Sequence, residues 1–249
     1  MSVDFLYTPI NTIKALADDV WLVDGPEIRF GLGPFKVPFS TRMTLIRLPD
    51  GDLVVHSPTA LTNELKAEVD ALGPVSAIVA PNKIHYWWVR DWKEAYPDAR
   101  VLSAPGVEER AKVRLPTVDF VMDGADVPGW GEGLSYIPIT SGFMTEVVLF
   151  HHPSKTLVLT DLIENFEPQR IKFPPWRWVL RLAGILHPHG SMPRDMRLTF
   201  RGREEHLRQA VCRMMDWRPQ RIVLAHGKIY EADCRAELAR AFRFADVGD

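Results

Sequence analysis

Three apolar runs in this chain end in the same way, and that recurrence constrains its fold more than any other feature. Ser76-Ala77-Ile78-Val79-Ala80 breaks at Pro81-Asn82-Lys83-Ile84-His85, Thr156-Leu157-Val158-Leu159-Thr160 breaks at Asp161, and Arg221-Ile222-Val223-Leu224-Ala225 breaks at His226-Gly227. Short β-branched and aliphatic runs bounded by turn residues read as buried strands. Each strand therefore delivers one potential ligand just past its end, where loops tend to collect function because the sheet fixes their geometry. Two histidines and a carboxylate form a plausible set for zinc or iron, with positions left open for water or substrate.

The remaining chain supplies the frame for these strands. Strands are predicted at 20–24, 43–48 and 53–56, with Asp50-Gly51 as a hairpin turn between the last two. Leu65, Val69 and Leu72 recur at helical spacing over 62–72, and Gly73-Pro74 stops that helix. A Trp-rich helical segment over 86–96 is closed by Pro97, followed by a strand at 101–103 and a helix at 107–112. From Val118 the plan repeats, with strands at 136–139, 147–150 and 157–160, a helical stretch at 168–193, an amphipathic helix at 203–217, a strand at 222–225 and a helix at 231–244. Strand meanders alternating twice with helices predict two sheets packed face to face with helices outside, a four-layer αββα sandwich. With 46% hydrophobic residues and no linker dividing it, the chain is expected to form one domain over 1–249 carrying a helical insertion around 168–193.

Composition removes several functions. Lys and Arg are scattered among Asp and Glu to a net charge of −2, so the footprint of a nucleic-acid binder is missing. Cys212 and Cys234 lack Cys-x-x-Cys spacing and give no disulfide framework, which points to the cytoplasm. Residues 1–17 lack the basic and apolar regions of a secretory signal, and the apolar stretch at 173–186 is too short to span a bilayer and is interrupted by Arg177 and Arg181. Residues 174–192 are expected to form a lid over the strand-end site or a homodimer contact, because their apolar surface needs a partner. No Gly-x-Gly-x-x-Gly, phosphate-binding Gly-Lys-Ser/Thr loop or Gly-x-Ser-x-Gly elbow around Ser57 or Ser141 is present.

With these residues in view, the chain resembles the metallo-β-lactamase-like superfamily, in a branch known as a domain of unknown function. The superfamily carries His-x-His-x-Asp-His after one strand, an aspartate after a later strand and a last histidine before a C-terminal helix. The resemblance makes His85 the final histidine of the first motif, Asp161 the later aspartate and His226 the last histidine, three ligands that serve one of the family's two metals. Ala80, Asn82 and Ile84 stand where the other motif ligands would be, so the binuclear signature is degraded. Glu146, the one strong ligand in the segment 140–146 that would hold the other site's histidine, is a candidate fourth ligand. The resemblance thus implies one zinc or iron ion on His85, Asp161, His226 and Glu146, activating water against a small ester, thioester or phosphoester. It equally admits a non-catalytic member that binds a small molecule or partner and holds no metal.

Other readings stand beside these. Trp87, Trp88 and Asn82 lie close enough to His85 in sequence to contact substrate, although the tryptophans also suit packing of a helix on the sheet. Asp161 suits the N-cap of a helix beginning near Leu162. His151 and His152, adjacent on a strand, point to opposite faces and read as a turn feature. His187-Pro188-His189-Gly190 reads as a lid element.

Overall fold

The computed structural model describes residues 6–30, 37–171 and 174–246. Its first sheet is built from β1 (Ile13–Ala17), β2 (Val20–Phe30), β3 (Val37–Arg47), β4 (Leu53–His56), β5 (Val75–Ala80), β6 (Arg100–Ser103) and β7 (Phe120–Val121), adjacent in chain order. The pairs from β1 to β4 are antiparallel and those from β4 to β7 are parallel. The change follows the connections: a tight turn joins β3 to β4, whereas α1 (Asn63–Leu72), α2 (Val89–Ala95) and α3 (Val107–Ala111) lie between the parallel strands. The Asp50-Gly51 turn is present, with Gly51 at φ +95°. Thr62 caps α1 by accepting the Leu65 N–H at 3.1 Å.

The second sheet runs in the order β11, β10, β9, β8, where β8 is Leu134–Thr140, β9 Thr145–His151, β10 Thr156–Val158 and β11 Arg221–Val223. Its β10–β11 pair is parallel, and the intervening chain carries α4 (Pro174–Ala183), α5 (Arg194–Leu198) and α6 (Glu204–Asp216). The last helix is α7 (Cys234–Ala241).

Alternation along β9 shows how the layers stack. Val147 and Leu149 join the core beneath the first sheet, with Val54, Ile78, Leu102 and Trp92. Val148 and Phe150 face the other way and pack with Leu207, Val211 and Met214 of α6 and Leu238 of α7. Successive strand side chains point to opposite faces, so a strand buried on both is a middle layer. The result is the αββα sandwich expected from the order of elements.

Several local expectations change. The first sheet gains β1 and β7, while the run at 157–160 stays paired only to Val158 and leaves Thr160 and Asp161 beyond the strand. No helix follows Asp161, so a helix-capping role is not what holds it. Of the expected 168–193 stretch, residues 168–170 form a single 3₁₀ turn and α4 begins at Pro174, while 172 and 173 lie outside the described residues. Among the described residues no helix is long and apolar enough to cross a membrane.

Candidate metal centre

The three strand-end residues meet along one edge between the sheets. His85 Nε2 lies 3.3 Å from Asp161 Oδ2, and His226 Nε2 lies 3.4 Å from Asp161 Oδ1. One ligand atom from each residue falls within 4.8 Å of the other two, and the imidazole centroids are 5.2 Å apart. Ligands about 2.0–2.1 Å from a tetrahedral ion lie about 3.3–3.4 Å from one another. The two histidine–aspartate separations run to different carboxylate oxygens and are longer than the roughly 2.7–2.9 Å of a charge-assisted hydrogen bond, and the 4.8 Å span of the group leaves room for an ion among the three residues.

Each of the three side chains is held from behind. His226 Nδ1 is 2.7 Å from the Ser40 carbonyl oxygen, which can only accept, so Nδ1 carries a proton and Nε2 is the ring nitrogen turned toward Asp161. With Nδ1 committed, Nε2 is free to meet Asp161 through a proton or a cation, and three such groups together could hold a metal ion. His85 Nδ1 lies 2.8 Å from Ser57 Oγ. Outer partners of this kind fix ring orientation in metal sites. Behind His85, burial and the neighbouring imidazole push the His56 ring down to about 3, so it stays neutral.

Asp161 is positioned by two side chains. Glu146 accepts the N–H groups of Thr160 at 2.7 Å and Asp161 at 2.8 Å, one on each carboxylate oxygen. Asn82 donates to Asp161 Oδ2 at 2.6 Å and to Thr160 Oγ1 at 2.9 Å, while its own oxygen accepts the N–H groups of Ile84 and His85. One amide therefore ties the ends of β5 and β10 together. Burial would push the Asp161 carboxyl up, but the two imidazoles outweigh it and hold the group well below the usual carboxylate range. Glu146, wholly enclosed and beside the Asp161 charge, is pushed up to about 7 against the pull of its two amides.

His226 depends on a brace between the sheets. Arg42 Nη1 donates to the carbonyls of Leu224 at 2.7 Å and Gly227 at 2.8 Å, and its guanidinium pairs with buried Asp24. Gly227 adopts φ +91°, and a Cβ there would sit 2.2 Å from the Asn165 carbonyl oxygen, so only glycine lets these segments meet.

A cavity of about 550 Å³ opens over the three residues. Ile28, Phe39, Ile84, Phe143 and Met196 give it apolar walls, Lys83 and Arg110 bring positive charge, and Glu164 and Asp195 negative charge. Glu164 is buried, its Oε2 has no hydrogen-bond partner, and burial with the nearby carboxylates pushes it up to about 8 although His226 pulls the other way. Sequence reading missed Glu164, Lys83 and Arg110. The first two are near Asp161 and His85 in the chain, but no spacing marks which neighbours turn inward.

The other expected site residues lie elsewhere. Glu146 spends both oxygens on backbone amides and is not one of the three converging groups. Asn82 is fully buried as the brace just described, Trp88 packs on the core beneath the first sheet, and Trp87 is exposed; none of the three lines the cavity. His151 bonds Ser154 and His152 bonds Ser135, both away from the ligands. The cavity wall from the late helical region begins at Pro193, one residue past the expected 174–192 lid. Leu180 and Ile185 of that segment instead pack with Phe166 and Ile171, next to Phe39.

The sequence model described as a domain of unknown function, DUF4336, matches residues 17–174. The chain belongs to the DUF4336 family. That match takes in His85 and Asp161 and ends before His226. No curated protein matches the chain. Among solved structures, the DIM-1 metallo-β-lactamase superposes with a TM-score of 0.62 at 10% identity, covering 98% of this chain and 100% of its own. A metallo-β-lactamase from Hirschia baltica gives 0.60 at 14% identity, covering 94% and 97%. The metal-soaked flavodiiron core Flv1 of Synechocystis sp. PCC6803 gives 0.60 at 13% identity, covering 94% of this chain and 60% of its own. This DUF4336 member therefore has the metallo-β-lactamase fold.

Proposed function

We propose that the chain is a metal-dependent hydrolase whose single zinc or iron ion is held by His85, Asp161 and His226, acting on a small anionic ester, thioester or phosphoester. The observation that carries this reading is the convergence of three buried ligands with His226 Nδ1 committed to the Ser40 carbonyl. When bound, the ion supplies a Lewis acid and lowers the pKa of a bound water.

The chain's own residues do the rest. Ser40 and Ser57 fix the two rings, while Glu146 and Asn82 fix Asp161. Glu164 faces the cavity and, while protonated, is placed to deliver its proton to the leaving atom as a general acid; its proton affinity, raised to about 8 in the ion-free chain, supports that role. Lys83 and Arg110 favour a substrate with a negative group, and the apolar walls hold the remainder and keep water away. The metallo-β-lactamases and the flavodiiron core that share this fold agree with metal chemistry at this edge.

Elemental analysis of protein purified without chelator is expected to find about one ion per chain, lost in His226→Ala and His85→Ala. Turnover of an ester, thioester and phosphoester panel should follow ion content. A protein that takes up no zinc or iron at micromolar concentration overturns the reading.

A second reading has its own support. Asn82 stands where the family resemblance implies a ligand, and its amide is used up in bracing Asp161. A non-catalytic module that binds a small molecule or partner in the same cavity would keep the pocket and turn over nothing in the panel, with or without an ion. Two further proposals concern the whole protein. The free thiols Cys212 and Cys234 suit a reducing compartment such as the cytoplasm, and exposed Trp178, Val179 and Leu182 on α4 suit a homodimer contact.

A further inference from the structure

A second cavity, of about 340 Å³, lies beyond α5 from the metal centre and is lined by four arginines, Arg194, Arg197, Arg240 and Arg243, with His189 at its side. The floor is Gly184, where a Cβ would lie 3.7 Å from Arg197 Nη2 and 3.8 Å from Arg194 Nε, so the two guanidinium groups converge over one open spot. Two of the arginines are set in place by the fold. Arg197 donates to the Met192 carbonyl at 3.0 Å and to Ser191 Oγ at 2.7 Å, with its guanidinium 4.6 Å from the Phe244 ring centroid. Arg240 donates to the Gly190 carbonyl at 2.7 Å and pairs with Glu237 at 2.6 Å.

Charge is left over. Among the described residues Glu237 is the one acid paired with any of the four, and Arg194, Arg197 and Arg243 have no carboxylate partner. Burial, together with the neighbouring charges of Arg194 and Arg243, lowers the proton affinity of Arg197, the mark of cations crowded without a counter-ion. Fixed guanidinium forks match the oxygens of phosphate, and several at once match a multivalent anion better than a lone carboxylate. A cavity of about 340 Å³, open on one side, suits a small molecule more than a polymer laid across a surface.

We propose that this arginine cavity is a binding site for a compact phosphate-class oxyanion, either free phosphate or the phosphate group of a small ester. It is separate from the ligand-lined cavity, although α5 walls both: Arg194 and Arg197 face this one, and Asp195 and Met196 face the other.

The test is calorimetric titration of the full chain with inorganic phosphate, glycerol phosphate, pyrophosphate and citrate, with sodium chloride at matched ionic strength as the blank. Saturable binding of a phosphate compound at one site per chain is expected, weakened at least tenfold in Arg194→Gln/Arg243→Gln, two exposed positions whose side chains hold nothing else in place. Tighter binding of inorganic phosphate identifies the free anion, and tighter binding of glycerol phosphate identifies a phosphate ester. Binding no stronger than chloride, citrate preferred over every phosphate, or unchanged affinity in the folded double variant overturns the proposal. Arg197→Lys checks the forked geometry, because it keeps the charge and should still lose affinity.

Discussion

Glu164→Gln isolates the cost of an acid buried without a partner. In the folded chain the Glu164 carboxyl is pushed from 4.5 up to about 8, chiefly by burial, and its Oε2 has no hydrogen-bond partner. Below pH 4.5 the group is protonated in both folded and unfolded chains and contributes no difference. Between 4.5 and 8 the unfolded chain releases the proton while the folded chain keeps it, so stability falls as pH rises through that window and levels off above it. At about 1.36 kcal/mol per pKa unit, the loss is on the order of 5 kcal/mol. Glutamine has the same shape and does not titrate, so the variant escapes this loss. Urea unfolding of chelator-treated protein at pH 5 and pH 9 should show wild type and variant close together at the lower pH. At the higher pH the variant should be more stable by on the order of 4–5 kcal/mol. Zinc should shrink that gap in the wild type, because a cation beside Asp161 and His226 favours the charged carboxylate. A gap that stays constant from pH 5 to pH 9 would refute the reasoning, since every other titrating group is common to both proteins.

Three further outcomes are expected. Glu146→Ala leaves the Thr160 and Asp161 amides without their acceptors, and losing two charged hydrogen bonds should cost on the order of 3–5 kcal/mol in urea unfolding together with weaker zinc uptake, whereas a loss below about 1 kcal/mol would mean that Glu146 does not hold the Asp161 loop. Gly227→Ala places a Cβ against the Asn165 carbonyl at a left-handed φ, and should destabilise by about 3–5 kcal/mol, read as a lowered melting temperature; an unchanged melt would show that the close approach is not needed. Trp178→Ser/Leu182→Ser removes the exposed apolar face of α4 and should lower the solution mass from dimer to monomer in light scattering without changing melting, and a wild type already monomeric at high concentration would end the homodimer proposal.

The strand ends and the three polar residues just past them were legible because both signals are local. A buried strand needs an apolar run, and the polar break after it is where backbone leaves the sheet, so His85, Asp161 and His226 could be marked before any contact was known. The Asp50-Gly51 turn is equally local. Glu146 was legible as a strong ligand by residue type, yet its partners proved to be amides, because it faces the Thr160-Asp161 turn from the neighbouring strand. Sequence proximity likewise placed Trp87, Trp88 and Asn82 at the substrate, but Asn82 turns beneath the ligands and neither tryptophan reaches the cavity.

What the sequence by itself determined is the order of strands and helices, the layered architecture that follows from it, and the three residues delivered at strand ends. Only the tertiary structure decided their distances, the proton on His226 Nδ1, the Arg42 brace to the His226 turn and the choice of Glu164 over Glu146 as the acid facing the cavity. The gathering of four arginines from α5, α7 and the following turn belongs to the same class. Periodicity records which face of an element is buried, because burial acts on each residue separately. Partnership between side chains from distant segments depends on how those elements are packed, and no local pattern records it.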